Sequence, residues 1–249
     1  SLHSHRTAEV FFVLKGRWRF FWGRWGDAGE VILGEGDIFN IPTGIFRGFE
    51  NIGNDYGMIM AILGGNDAGG GVIWAPQVIE DATDHGLVLS EKGRLYDTKK
   101  GEALPEGENP MSLLTDEELK QFPEPSSMQV VGGYVRRYLD MLAISDSRPV
   151  TVIGETGIIR DRPCFQVNFI SRGSAVIAPE SHDKPSVLMP VKGHWRVAWE
   201  GGSATLAPGD TMSVPEGLAH GIEPSMTGEA ALYQVLGTDD QAGATWKPN

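Results

Sequence analysis

Gly36-Asp37-Ile38-Phe39-Asn40-Ile41-Pro42-Thr43-Gly44 returns 173 residues later as Gly209-Asp210-Thr211-Met212-Ser213-Val214-Pro215-Glu216-Gly217. Upstream, Gly16-Arg17-Trp18-Arg19-Phe20-Phe21-Trp22 returns as Gly193-His194-Trp195-Arg196-Val197-Ala198-Trp199, at an offset of 177. A third echo pairs Leu63-Gly64-Gly65-Asn66-Asp67 with Leu236-Gly237-Thr238-Asp239-Asp240, and Trp74 matches Trp246. Blocks repeated in the same order at nearly constant offset mark an internal duplication. The change in offset puts four extra residues into the first copy, in the turn between Gly23 and Glu30, where a short loop absorbs them cheaply. Residues that differ between the copies are where function is to be sought.

Composition bounds the classes. The 249 residues are 41% hydrophobic, enough for real cores, with 33 glycines and 15 prolines for many turns. A net charge of −12 argues against nucleic acid or an anionic membrane surface as partner, since either requires a basic patch. No apolar run approaches the roughly 18 residues of a membrane span. The single cysteine, Cys164, forms no internal disulfide, which suits a cytoplasmic location, and reads as a small core side chain.

Short β-rich runs predict strands at Val10–Leu14, Arg17–Trp22, Val31–Leu33, Asp37–Ile41 and Tyr56–Leu63, split by Gly and Pro as in a sandwich or barrel. Between the repeats the texture changes. Pro76 starts a helix that Gly86 stops, and Thr115-Asp116-Glu117-Glu118 is a capping box ended by Pro123. Val130–Leu142 admits a strand followed by a helical turn. The expected organisation is a first barrel with its helix over 1–97, a linker over 98–127 and a second barrel over 128–249. The first copy lacks the strand-like text that precedes the second, Gly157 to Pro179, so opening strands upstream of Ser1, or from another chain, are expected. The unpaired edge this leaves favours a homodimer.

The chemistry-bearing residues stand around these repeats. His3-x-His5-x3-Glu9-x6-Gly16 is followed by Gly36-x5-Pro42-x-Gly44-x2-Arg47-x3-Asn51. The second copy gives Glu180-x-His182-x3-Ser186-x6-Gly193 and Gly209-x5-Pro215-x-Gly217-x2-His220. Residues two apart on a strand project to one face, so His3 and His5 aim together, and Glu9 joins them if its strand is not bulged. Imidazole with carboxylate suits Mn, Fe, Ni, Cu or Zn.

This pattern resembles the two motifs of the cupin superfamily: His-x-His, Glu and Gly, then Gly, Pro-x-Gly-x-x-His and Asn. The resemblance extends over about three quarters of the chain and implies an all-β protein with a few helices, a bicupin of two tandem jelly-roll (double-stranded β-helix) barrels. It is nearest to uncharacterised bacterial bicupins and more distant from ring-cleaving cupin dioxygenases, gentisate and quercetin dioxygenases among them. The first copy departs at Arg47, where the family has its last histidine. The second departs at Glu180 and Ser186, where it has His and Glu.

Each departure leaves alternatives. In the first copy His3, His5 and Glu9 hold a metal if Arg47 turns away or grips a substrate carboxylate; otherwise Arg47 neutralises Glu9 in a metal-free barrel. In the second, Glu180, His182 and His220 fall on positions that carry a histidine triad in some ring-cleaving cupins, and form a two-histidine, one-carboxylate set; equally, they are remnants in a copy turned structural. Trp18, Trp22, Trp195 and Trp199 are packing residues by default, with Trp18 and Trp195 as a stacking wall for an aromatic or sugar ligand in the sharper alternative. His85 reads as a helix C-cap, His194 as exposed, and Gly69-Gly70-Gly71 lacks the context of a phosphate loop.

The function these residues imply is that of a metal-dependent enzyme, an oxygenase acting on a small aromatic or carboxylate compound. An isomerase or lyase would use the same ligands with Glu9 as base. A non-catalytic cupin binding a sugar or small acid is the alternative.

Overall fold

The computed structural model describes residues 1–64, 71–160 and 164–238. Gly65, Asn66 and Asp67 of the third echo, their counterparts Asp239 and Asp240, Gly69, Gly70 and Trp246 lie outside the described residues.

The first copy supplies β1 (His3–His5), β2 (Glu9–Lys15), β3 (Trp18–Trp22), β4 (Gly29–Leu33), β5 (Ile38–Ile41), β6 (Arg47–Asn51), β7 (Met58–Leu63) and β8 (Val72–Trp74). Next come α1 (Pro76–Asp84), the hairpin β9 (Leu87–Leu89) and β10 (Leu95–Asp97), α2 (Asp116–Leu119), α3 (Ser127–Tyr134), β11 (Val135–Arg136) and α4 (Tyr138–Ile144). The second copy follows as β12 (Val150–Ile153), β13 (Phe165–Ser171), β14 (Val176–Glu180), β15 (Ser186–Lys192), β16 (Trp195–Trp199), β17 (Gly202–Leu206), β18 (Met212–Val214), β19 (His220–Pro224) and β20 (Ala231–Gly237).

Each copy is a pair of antiparallel sheets closed face to face. The orders are β4-β3-β6-β1-β8 with β11-β5-β2-β7 in the first, and β12-β13-β20-β15-β18 with β14-β19-β16-β17 in the second. The repeat holds at the level of single bonds. Trp18 Nε1 donates to the Lys15 carbonyl at 3.1 Å, and Trp195 Nε1 to that of Lys192 at 3.1 Å. Asp37 Oδ2 accepts from Gly34 N at 3.0 Å, and Asp210 Oδ2 from Ala207 N at 2.8 Å. The Gly44 amide bonds the His5 carbonyl at 3.1 Å, as Gly217 bonds His182 at 2.8 Å. That last bond ties each Pro-x-Gly turn to the histidine strand and so delivers β6 and β19 beside the candidate ligands.

β2 is apolar on both faces, Val10-Phe11-Phe12-Val13-Leu14, and both are buried. Phe11 and Val13 point into the first barrel with Phe20, Trp22, Phe39 and Ile41. Val10, Phe12 and Leu14 point the other way, into one core shared with Val167, Phe169, Met189 and Tyr233 of the second barrel. The two sheets pack as a central sandwich, so the barrels share the core between them. Gly36 sits at this seam with φ +87°, and the Tyr138 ring lies where a Cβ would be, 2.4 Å from its built position. A side chain there would meet both the left-handed backbone and the ring.

Two expected boundaries change. The 98–127 segment is no loose linker: Leu119 and Phe122 are buried against Phe46, and Trp22 Nε1 donates to the Pro125 carbonyl at 2.8 Å. Nor does the second barrel begin at 128, because β11 pairs with β5 of the first, Val135 opposite Phe39. The apolar residues of α3, Val130 and Val131, complete the first core, and strands of the second barrel begin at Val150. The Val130–Leu142 stretch is mostly helical, with the two-residue β11 between α3 and α4. The capping box at Thr115 and Glu118 forms as its sequence predicts.

Candidate functional site

Strand pairing builds both candidate sites. His3 stands directly opposite Arg47 across β1 and β6, and Glu180 directly opposite His220 across β14 and β19. The positions aligned by the repeat therefore occupy equivalent places in the two barrels.

In the first barrel His3, His5 and Glu9 converge. One ligand atom from each lies within 4.8 Å of the others, and among the described residues no other group of three His, Cys, Asp or Glu does so. His5 Nε2 is 3.8 Å from Glu9 Oε1. His3 uses Nδ1 on the Ser1 carbonyl at 2.9 Å, leaving Nε2 open. Both imidazoles are held neutral: burial first, and the Arg47 charge second, lower His3 and His5 from 6.5 to about 4. His5 and Glu9 are buried, and His3, half-buried against Trp74, is the member nearest solvent.

Arg47 is 1% exposed and joins this cluster from β6. Its Nε donates to Glu9 Oε2 at 3.0 Å, Nη2 donates to the same oxygen, and Nη1 donates to the Ile45 carbonyl at 3.3 Å. Of the arrangements expected as alternatives, the ion pair is the one present: Arg47 has not turned away from the cluster. Arg47 neutralises Glu9, yet it does so through Oε2 and leaves Oε1 turned toward His5. Burial works against the guanidinium charge and Glu9 for it.

The donor set fits a divalent ion. Two neutral imidazoles and one carboxylate oxygen are available, and ligands at about 2.0–2.2 Å from zinc, or similarly from related ions, stand at spacings that 3.8 Å meets and 4.8 Å reaches after a small contraction.

In the second barrel the expected metal set is not brought together. Glu180, His182 and His220 line one cavity of about 110 Å³ with Asn168 and Gln234, but their ligand atoms do not form a group within 4.8 Å among the described residues. The imidazole centroids are 6.1 Å apart, and Glu180 is exposed. The cause is local. β14 is an edge strand among the described residues and its pairing shifts between Val176 and Glu180, whereas β1 is flanked by β8. His182 Nε2 is also occupied, 3.2 Å from Gln234 Nε2.

Trp18 and Trp195 are corrected to packing residues. Trp195 is fully buried with its N–H used by Lys192, and Trp18 packs edge-on against Phe49 at 6.1 Å. His85 caps α1 with Nδ1 2.7 Å from the Asp81 carbonyl, His194 is exposed, and Cys164 is half-buried beside the shared core. Sequence reasoning missed Gln234, Asn168 and Gln166. Their signal was alternation, a polar side chain at every second place in Phe165-Gln166-Val167-Asn168 and again in Tyr233-Gln234-Val235.

The family model described as Cupin domain matches residues 1–63. Residues 1–63, which hold β1 to β7 of the first barrel, thus carry a cupin domain. No curated protein matches it in sequence. Among solved structures, the chain is similar to a Bacillus subtilis oxalate decarboxylase variant (TM-score 0.54, 16% identity, 98% of this chain and 67% of that one). It is also similar to the Lactobacillus farciminis oxalate decarboxylase formate complex (0.54, 14%, 98% and 74%). A Pseudoaminobacter salicylatoxidans salicylate 1,2-dioxygenase variant gives 0.52 and 15%, over 95% and 66%. At such identities the likeness establishes the fold, two tandem cupin barrels. No described helix is long and apolar enough to cross a membrane.

Proposed function

We propose that this protein is a metal-dependent enzyme acting on a small carboxylate compound at its first barrel, with oxygenation as the reaction class to screen first. The observation that carries this is the convergence of His3, His5 and Glu9 beside buried Arg47. Charge accounting selects the ligand. With both imidazoles neutral, Glu9 and Arg47 cancel, so a divalent ion would leave two positive charges in a largely buried site. Buried charge without a partner is strongly unfavourable, and an anionic ligand supplies the balance. Bound there, the ion would act as a Lewis acid toward the oxygen atoms of that ligand.

The chain's own groups have separate tasks. His3 and His5 offer uncharged nitrogens at neutral pH. Arg47 orients Glu9 so that Oε1 faces the histidines. Three of its five N–H groups are used, and the other two have no acceptor among the described residues. They favour an anion arriving past half-buried His3. Oxalate and salicylate, in the names of the similar structures, are small carboxylates too.

An alternative function rests on the Arg47–Glu9 pair itself, a barrel that binds a small acid without metal. Elemental analysis of protein purified without added metal or chelator separates the two. About one equivalent of Fe, Mn, Ni, Cu or Zn per chain is expected, absent from His5→Ala and retained by His182→Ala. No metal as purified and none on titration would transfer the function to the metal-free alternative.

A further inference from the structure

The second barrel holds a polar interior that metal binding does not explain. Gln166 Nε2 donates to Asn168 Oδ1 at 2.9 Å, and Thr151 Oγ1 to the same oxygen at 3.2 Å. Asn168 Nδ2 donates to Gln234 Oε1 at 3.2 Å, and Gln234 Nε2 to His182 Nε2 at 3.2 Å. An amide nitrogen cannot accept, so the chain ends on the imidazole lone pair and places the His182 proton on Nδ1. The nitrogen a metal would need is already committed. His220 is fixed the other way: its Nδ1 lies 2.9 Å from the Leu218 carbonyl, which only accepts, so Nε2 keeps an open lone pair.

Ser186 adds the second observation. It replaces the family's glutamate, is 3% exposed, faces the barrel interior from β15 alongside Leu188, and its hydroxyl has no hydrogen-bond partner. A buried polar group without a partner is costly. The cavity beside these groups, about 110 Å³, has Ile170, Val176 and Ile222 as apolar walls and Glu180 at its exposed side.

We propose that the second barrel is a metal-free binding pocket for a small polyhydroxylated molecule, a polyol or the end of a sugar. The lining mixes an open acceptor, His220 Nε2, and an open donor, His182 Nδ1–H, with the side-chain amides of Asn168 and Gln234; the unpartnered Ser186 hydroxyl faces the same barrel interior. Hydroxyl groups donate and accept in the same way, and the carbon skeleton between them suits the aliphatic walls. A carboxylate would meet Glu180 with no cation on the cavity wall to offset it. A divalent ion would have to break the Gln234–His182 bond. The pocket is independent of the first-barrel site and stands whether or not that site holds metal.

The test is saturation-transfer NMR with glycerol, erythritol, xylitol, D-xylose and D-glucose, with acetate and Mn(II) as contrasting probes. At least one polyol should bind wild type and His5→Ala equally. Binding should weaken by ~10-fold in His220→Phe, which removes the open acceptor of the lining, and also in Gln234→Leu, which releases the His182 ring it holds, with near-UV circular dichroism confirming the fold. His220→Phe decides if Gln234→Leu does not fold. No binding by any polyol overturns the proposal. So does polyol binding that disappears in His5→Ala, or Mn(II) uptake that survives His5→Ala and is lost in His182→Ala.

Discussion

Replacing Arg47 with methionine removes one half of a charge pair that water does not reach. Arg47 and Glu9 are 1% and 5% exposed, and two guanidinium nitrogens converge on one carboxylate oxygen. Without them Glu9 keeps only His5 nearby, at 3.8 Å and uncharged at neutral pH. Removing one partner of a buried ion pair costs about 3–5 kcal/mol. For a chain of this length that lowers Tm by about 6–20 °C. Glu9→Gln alone leaves the guanidinium unpaired and should cost a similar amount. The double variant Glu9→Gln/Arg47→Met removes both charges at nearly constant volume and should recover most of the loss. Urea unfolding of the four metal-free proteins at pH 7 gives the coupling directly. Excess Mn(II) should then stabilise Arg47→Met more than wild type, because the ion supplies the positive charge Glu9 has lost. Single-variant losses that add to within about 0.5 kcal/mol of the double variant would refute the buried-pair argument.

The remaining expectations concern protons and the seam between barrels. His3 and His5 are lowered from 6.5 to about 4 in the folded protein. The unfolded chain therefore takes up these protons first as pH falls. Their contribution to the stability of the metal-free protein is complete above about 6.5 and is lost between there and about 4, at up to about 1.4 kcal/mol per pH unit for each imidazole. Urea midpoints at pH 7, 6 and 5 measure this slope, and His5→Gln should flatten it; an unchanged slope contradicts the assignment. At the seam, the Tyr233 hydroxyl donates to the Gly36 carbonyl at 2.6 Å in a fully buried position. Tyr233→Phe should cost about 1–3 kcal/mol and lower a single unfolding transition; two separate transitions in calorimetry would show that the barrels fold independently.

The fold was legible because duplication repeats its turns. Gly36-Asp37 and Pro42-x-Gly44 impose bonds that Gly209-Asp210 and Pro215-x-Gly217 impose again. The first site was legible for the same kind of reason, since period two places His3 and His5 on one face whatever lies around them. The shared core was not anticipated, although Val10–Leu14 signals it: a strand apolar at every position is buried on both sides. The second site was less legible because ligand spacing along a strand says nothing about its neighbours. Glu180 stands on an edge, and His182 meets a glutamine 52 residues away. The 98–127 segment misled by its polarity, which conceals Leu119 and Phe122 beneath a charged exterior.

The two-sided burial of β2 has an evolutionary consequence. A repeat usually makes modules that can be exchanged, split or lost one at a time. Here Phe11 and Val13 serve one barrel while Phe12 and Leu14 serve its neighbour, so a cut between the halves would strip a large apolar sheet face on each fragment. The two copies are bound to a common fate. Either site can drift in chemistry, as Arg47 and Ser186 have, but neither barrel is free to leave.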